Sequence, residues 1–365
     1  MFRCISSFFT RIQRELFPDL QEDLGPLSGK QLKLVTVLEA IRLEGEIVDS
    51  VKGPGRPCSD RLAIARSFVA KAVYNFSTTR MLIDRLSCDS ALRRICGFER
   101  KKDIPSESGF SRAFAELADS GLLSRIHERI VSEHYENRLV GHNSRDSTAI
   151  EAREKPLRKP RQSKQKIKKK RGRPCKGQER TEEPEPTRLE KQFSMTLPQM
   201  LDDLPKACDV GTKKNSQGYA QSWIGYKLHW DVGDGEVPLS VILTSASVHD
   251  SQVALPLMAM SNRKLNYLYD VMDAAYDCKD IRLKSLLDGH VPLIDSNPRR
   301  GEKIGFSPHE AERYKERTSV ERANARLKDE FGGRFVRVRG HAKVLAHLMF
   351  GVLVLTVDQL TRLVT

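Results

Sequence analysis

The sequence predicts an α/β fold in which a mixed-sheet domain is preceded by an all-helical domain, and three patterns carry that prediction. Apolar residues recur at helical spacing over 31–44 and 60–75 and again, as shorter helices, from Ser77 to about Tyr135. The run WIGYKLHWD at 223–231 alternates strictly, with Ile224, Tyr226, Leu228 and Trp230 on one face and Gly225, Lys227, His229 and Asp231 on the other, as a strand requires. Beyond it the order reads hairpin, helix, strand, helix, strand, helices. A chain of 365 residues is long enough for two or three domains, and 39% hydrophobic residues supply their cores.

Taken in order, KGPGRPCSD at 52–60 is turn-forming and separates the first two helices. Ser77 stands where a cap is needed, and IPSES at 104–108 breaks the chain before a helix from Phe110 to Leu123. Arg80, Arg85, Arg93, Arg94 and Arg112 on these short helices suit either a helix-turn-helix on DNA or a solvated face. From about 151 to 190 apolar residues are sparse, so burial cannot offset the ordering of that segment, which reads as a linker or insert. Asp234-Gly235 marks a hairpin that returns through VPLSVIL at 237–243. Asp250 is placed to cap a helix running to about Met260, which makes His249-Asp250 a helix start and not a ligand pair. Tyr267 to Met272 and Val291 to Ile294 read as strands, and the chain beyond His309 as helical except near Gly332-Gly333. Three regions follow: a helical segment and linker at 1–58, a helical domain at 59–140 that is a candidate for DNA binding, and an α/β domain at 141–365 with a basic flexible insert at about 151–215.

Charge is concentrated. Residues 155–180 hold 13 Lys or Arg against Glu179, a net +12 that leaves only +2 of the chain's +14 for the other 339 residues. Such a strip binds polyanions. Seven scattered cysteines without a CxxC pair indicate neither a disulfide framework nor structural zinc. Val344–Val357, interrupted by His347 and Thr356, falls short of the about 20 residues that span a bilayer and reads as a core helix. No secretory signal pattern opens the chain, so a cytoplasmic protein without membrane contact is expected. HExxH is absent, and GPLSGK at 25–30 lacks the spacing of a phosphate-binding loop, so no nucleotide cofactor is expected.

Two aspartates and one helix carry the candidate chemistry. Asp273 ends the strand YLYDVMD, where α/β sheets place ligand chemistry, and Asp146 in HNSRDSTAIE is the matching acid on an earlier strand. Each alone fits a cap or turn residue as well as a metal ligand. Asp270 falls inside the later strand and Asp277 in the helix after it. Tyr314, Arg317, Glu321 and Lys328 are offset by 0, 3, 7 and 14 residues, which on a continuous helix puts all four within one arc of about 60°. That arc faces either a charged ligand or solvent.

These residues resemble the bacterial insertion-sequence transposases with a DDE triad and a Tyr-Arg-Glu-Lys (YREK) signature, which YKERTSVERANARLK at 314–328 matches without a gap. The resemblance extends through RDSTAIEA, DVGTKKNSQGY, WIGYKLHWDV, SASVHDSQ, YDVMDAAYD and IDSNPRRG, and ALRRICGF and PSESGFSRAF are similar to the helical domain of the same proteins. It implies an RNase H-like sheet with Asp146, Asp273 and Glu321 as catalytic, metal-binding acids, spaced by 127 and 48 residues, holding two Mg²⁺ or Mn²⁺ ions. Tyr314, Arg317 and Lys328 are implied as phosphate clamps on DNA. The implied partners are double-stranded DNA, as terminal inverted repeats and as target, and a second copy in a homodimer. A bacterial, cytoplasmic and nucleoid-associated location follows. The rival readings are a non-catalytic DNA-binding protein derived from a transposase and a metal-dependent nuclease without strand transfer.

KKKRGRPCKG at 168–177 also looks like an AT-hook. Arg171 and Arg173 would lie along a narrow A·T minor groove, with Gly172 on its floor and Pro174 holding the chain extended. A basic linker for any polyanion is the alternative.

Overall fold

The computed structural model of the protein describes residues 25–47, 59–156, 186–214, 217–298 and 303–364. Its helical part comprises α1 (Gly29–Ile41), α2 (Arg61–Val73), α3 (Thr79–Cys88), α4 (Ser90–Ile95), α5 (Glu107–Asp119) and α6 (Leu122–Tyr135). Polar residues at their starts accept the free backbone N–H groups. Ser28 of GPLSGK forms a capping box with Gln31, and Asp60, Asp89 and Ser106 cap α2, α4 and α5. Thr78, one residue beyond Ser77, caps α3.

The sheet follows. In chain order the elements are β1 (Leu139–Glu151), α7 (Arg188–Gln192), α8 (Leu197–Asp203), β2 (Asp209–Lys214), β3 (Ala220–Gly233), β4 (Val237–Ser245), α9 (Ala254–Asn262), β5 (Asn266–Met272), α10 (Lys279–Leu287), β6 (Val291–Ile294), α11 (Pro308–Tyr314), α12 (Thr318–Glu330) and α13 (His341–Arg362). One edge of β3 pairs antiparallel with β1, and its other edge pairs antiparallel with β2 along the first half and β4 along the second. β1, β5 and β6 run parallel. The order β4–β3–β1–β5–β6 is thus antiparallel on one side of β1 and parallel on the other, the RNase H-like mixed sheet that the sequence predicts.

β1 is central despite its polarity, because Asn143, Ser144 and Arg145 are all buried and bonded. β3 is covered on both faces: Tyr226, Leu228 and Trp230 enter the apolar core, while His229 and Asp231 are buried opposite. Two expectations need correction. The chain expected to be a flexible insert is already ordered by Thr187, because Leu189, Met195 and Met200 pack on Ala254, Leu255 and Met258 of α9. Arg188 also bonds Asp203 at 2.6 Å and Gln252 at 2.7 Å. The helix expected from Asp250 starts as a tight turn at 250–253 capped by His249, and α9 follows.

The third correction concerns the stripe. Tyr314 to Lys328 do not share one helix, since α11 ends at Tyr314, a 3₁₀ turn spans Lys315–Arg317 and α12 begins at Thr318. Ser144 Oγ and Thr318 Oγ1 donate to the carbonyls of Glu316 and Lys315, and these bonds tie the turn down.

α13 joins the two parts. Its Phe350 meets Phe68 and Phe114 of the helical part at ring distances of 5.6 and 6.3 Å, and one continuous core runs from Leu34 and Ile64 through α13 to Leu228 and Trp230 of β3. Among the described residues this helix alone is long and apolar enough to cross a membrane, but most of it is buried inside the protein.

Candidate active site

Parallel pairing of β1 with β5 ends at the rung Arg145–Met272. The next residue on each strand is a carboxylate, so Asp146 and Asp273 emerge from adjoining strands at the same level. Asp146 stays in β1 opposite Trp230, and Asp273 leaves β5 to accept the N–H of Ala275 at 2.9 Å. α12 lies over Asp146, to whose Oδ2 Asn324 Nδ2 donates at 3.2 Å, and the 315–317 turn before it packs on β1 and β5. Glu321 precedes Asn324 by three residues, hence by about one turn on the same side of the helix.

The electrostatics are frustrated. Burial, with the nearby carboxylates of Asp273 and Asp250, pushes Asp146 up to about 6. Burial and Asp250 likewise raise Asp273, against the opposing Arg317 guanidinium. Glu321 is held by Arg317, whose Nη2 donates to Oε1 at 2.7 Å, and the Arg317 charge also reaches Asp146 and Asp273. Tyr314 is half-buried with its ring on Phe306 at 4.6 Å, and burial raises its hydroxyl to about 12. Burial and the charges of Arg334 and Lys213 push the Lys328 ammonium below its ordinary value. Tyr314, Arg317 and Glu321 therefore lie together beside Asp273, whereas Lys328 sits further along α12, near Lys213, Arg334 and Glu151. Arg171, Gly172, Arg173 and Pro174 lie outside the described residues.

Of the neighbouring acids, Asp270 and Asp277 are engaged away from the site, and Asp250 lies close to it. Asp270 is buried inside β5 against Arg145 and Ser285. Asp277 precedes α10, where it was expected to lie, and accepts from Arg282 at 2.9 Å. Asp250, read from sequence as a cap, instead turns inward and accepts from Lys227 Nζ at 3.0 Å. Burial pushes its carboxyl up, yet the His229 ring and the bonds from Lys227 and Ser147 leave it below the ordinary value. A lysine on the covered face of β3 required such a partner, and that was the available signal. Asn324 and Lys213 are further site residues that the motif does not contain.

Carboxylate oxygens are hard donors that suit Mg²⁺ or Mn²⁺ and not zinc. Asp146 and Asp273 fit such an ion, because their crowded negative charges lack a full counter-charge. The third acid is engaged by Arg317, and among the described residues no three acidic, histidine or cysteine side chains close round one point.

No curated protein and no solved structure matches the chain. A family model described as Transposase domain (DUF772) matches residues 23–116, across the first helices. Another, Transposase DDE domain, matches residues 144–357, from Ser144 in β1 into α13. That span is more than half of the sequence, and with the mixed sheet and the paired aspartates beneath α12 it shows that the chain belongs to the DDE transposase family.

Proposed function

We propose that this chain is an insertion-sequence DNA transposase that binds terminal inverted repeats and performs metal-dependent cleavage and strand transfer. The single observation that carries the reading is the convergence of Asp146 and Asp273 on adjoining strands, under the helix that bears Glu321. Asp146, Asp273 and Glu321 would hold two Mg²⁺ or Mn²⁺ ions. Such a pair supplies Lewis acidity and an activated water to an in-line displacement at phosphorus.

The chain's own residues do the rest. Arg317 gives up Glu321 to take a phosphate, a geometry its planar fork matches, while Lys328 and Lys213 add positive charge along the strand. Tyr314, backed by Phe306, offers a ring face to a base or sugar near the cut. The helical part and the RGRP segment around Arg171, Gly172, Arg173 and Pro174 bind duplex outside the cut, and a homodimer brings two ends together. The protein then works in the bacterial cytoplasm on the nucleoid.

The test is Mg²⁺-dependent nicking of a labelled duplex carrying the element's terminal repeat, comparing wild type with Glu321→Ala. The expected result is terminus-specific cleavage that the variant loses. Salt-sensitive binding by both proteins, with no cleavage under Mg²⁺ or Mn²⁺, overturns the reading in favour of a non-catalytic DNA-binding protein.

A further inference from the structure

Directly beneath the candidate site lies a charged layer that the motif residues leave unexplained. Arg145, the neighbour of Asp146, has no solvent exposure and neither have Asp231 and Asp270. Its Nε and Nη2 bond both oxygens of Asp231 on β3, at 2.7 and 2.8 Å. Its Nη1 reaches across β1 to Asp270 Oδ1 and to Met272 Sδ on β5, each at 3.4 Å. The same carboxylates bind the covering helices: Ser261 of α9 donates to Asp231 at 2.7 Å, and Ser285 of α10 donates to Asp270 at 2.6 Å. Asn143 adds a bond to Asp231 at 3.0 Å.

A buried ion network is a poor source of stability, since well-packed apolar residues of similar volume often serve as well or better. What a bidentate guanidinium supplies is a fixed direction. Here that direction runs across three strands at the last parallel rung, Arg145–Met272, one residue before each of the two aspartates. A shift of β5 relative to β1 would misplace Asp273 against Asp146 and would break the guanidinium's contacts at the same time.

We propose that Arg145 is a positioning residue, which with Asp231 and Asp270 locks β3, β1 and β5 so that the Asp146 and Asp273 carboxylates can share a divalent cation. The proposal rests on the transposase reading of those aspartates. Groups bonded directly to metal ligands typically change metal affinity by about 10- to 100-fold, and for Arg145, which acts through the strands, the lower end of that range is expected.

The experiment measures Mn²⁺ binding to the full chain without DNA, by the paramagnetic resonance signal of free Mn²⁺. It compares wild type, Arg145→Lys, and a charge-neutral variant carrying Arg145→Met, Asp231→Asn and Asp270→Asn. Circular dichroism and duplex binding report folding, and the neutral variant leaves no buried charge unpaired within the trio. The expected result is Mn²⁺ binding weakened by about tenfold or more in a variant that folds and binds duplex like wild type. Wild-type Mn²⁺ affinity in either folded variant overturns the positioning role while leaving the transposase reading intact. A wild-type chain that binds no Mn²⁺ overturns both.

Discussion

Asp146 keeps a carboxylate where its surroundings penalise the charge: burial and the carboxylates of Asp273 and Asp250 lift its pKa from the ordinary 3.8 to about 6. A folded-state pKa above the unfolded one means that the folded chain holds a proton between about pH 4 and 6 that the unfolded chain has lost. The stability from this group is therefore complete at the acidic end and falls as pH rises through about 6. Asp146→Asn should then stabilise the metal-free protein by about 1–2 kcal/mol at pH 7, with little effect near pH 4. Mn²⁺ should raise the unfolding temperature of wild type and not of the variant. Urea unfolding at the two pH values measures this, and a variant less stable than wild type at pH 7 would contradict it. Arg317 makes the complementary case, since its guanidinium bonds Glu321 at 2.7 Å and lends charge to both aspartates. Replacing it with Gln removes a competitor of the metal and a clamp for phosphate. Mn²⁺ affinity without DNA should rise by up to about fivefold, a half-exposed ion pair being worth up to about 1 kcal/mol, while duplex-end affinity falls. Calorimetric titration of both ligands decides it, and unchanged Mn²⁺ affinity would show that Arg317 does not compete.

Elements meet most tightly where β1, β2 and β3 share the rung at Gly225, which pairs with both Glu151 and Asp209. Its φ is +154°, and a Cβ there would lie 2.1 Å from the Ile150 carbonyl oxygen, so the backbone itself would have to move. Gly225→Ala should destabilise the protein by more than about 2 kcal/mol in urea unfolding, and a loss below about 0.5 kcal/mol would refute the close approach. β3 was legible in the sequence because strand alternation is a local signal, and the hairpin at Asp234-Gly235 was legible for the same reason. The break between α11 and α12 was not, because the Ser144 hydroxyl that ties down Glu316 lies 172 residues away in sequence. Nor was the burial of a polar β1: the partners of Arg145 are 86 and 125 residues distant, and no periodicity announces a salt bridge. Asp250 was misread on the same ground, since its lysine partner sits 23 residues earlier, on β3. Asp146, Asp273 and Glu321 were expected as a set from the family resemblance, whereas Asn324 and Lys213 come near Asp146 through the packing of the elements.

Across the whole molecule, the boundary near residue 140 separates two kinds of secondary structure without separating two cores. α13 is apolar nearly all round, with Val344, Leu348, Met349, Phe350, Val352, Leu353, Leu355 and Val357 buried, and a helix of that kind is stable only when every side is covered. The sheet covers one side and α1, α2, α5 and α6 cover another. Polar ties follow the same path: Asp358 on α13 accepts from Lys33 of α1 at 2.6 Å and from Arg326 of α12 at 2.5 Å, linking the first helix to the helix that carries Glu321. The DDE domain match, residues 144–357, thus covers a unit whose last helix depends on residues before it. A fragment of residues 139–365 should keep the sheet-forming sequence but expose Phe350 and its neighbours, a patch larger than soluble monomers tolerate. It should bind an apolar dye, aggregate, and lack a cooperative urea transition, while the full chain unfolds in a single one. A soluble, monomeric fragment with sharp near-ultraviolet dichroism would show that the sheet side of α13 suffices, and that the helical part is a separable DNA-binding module.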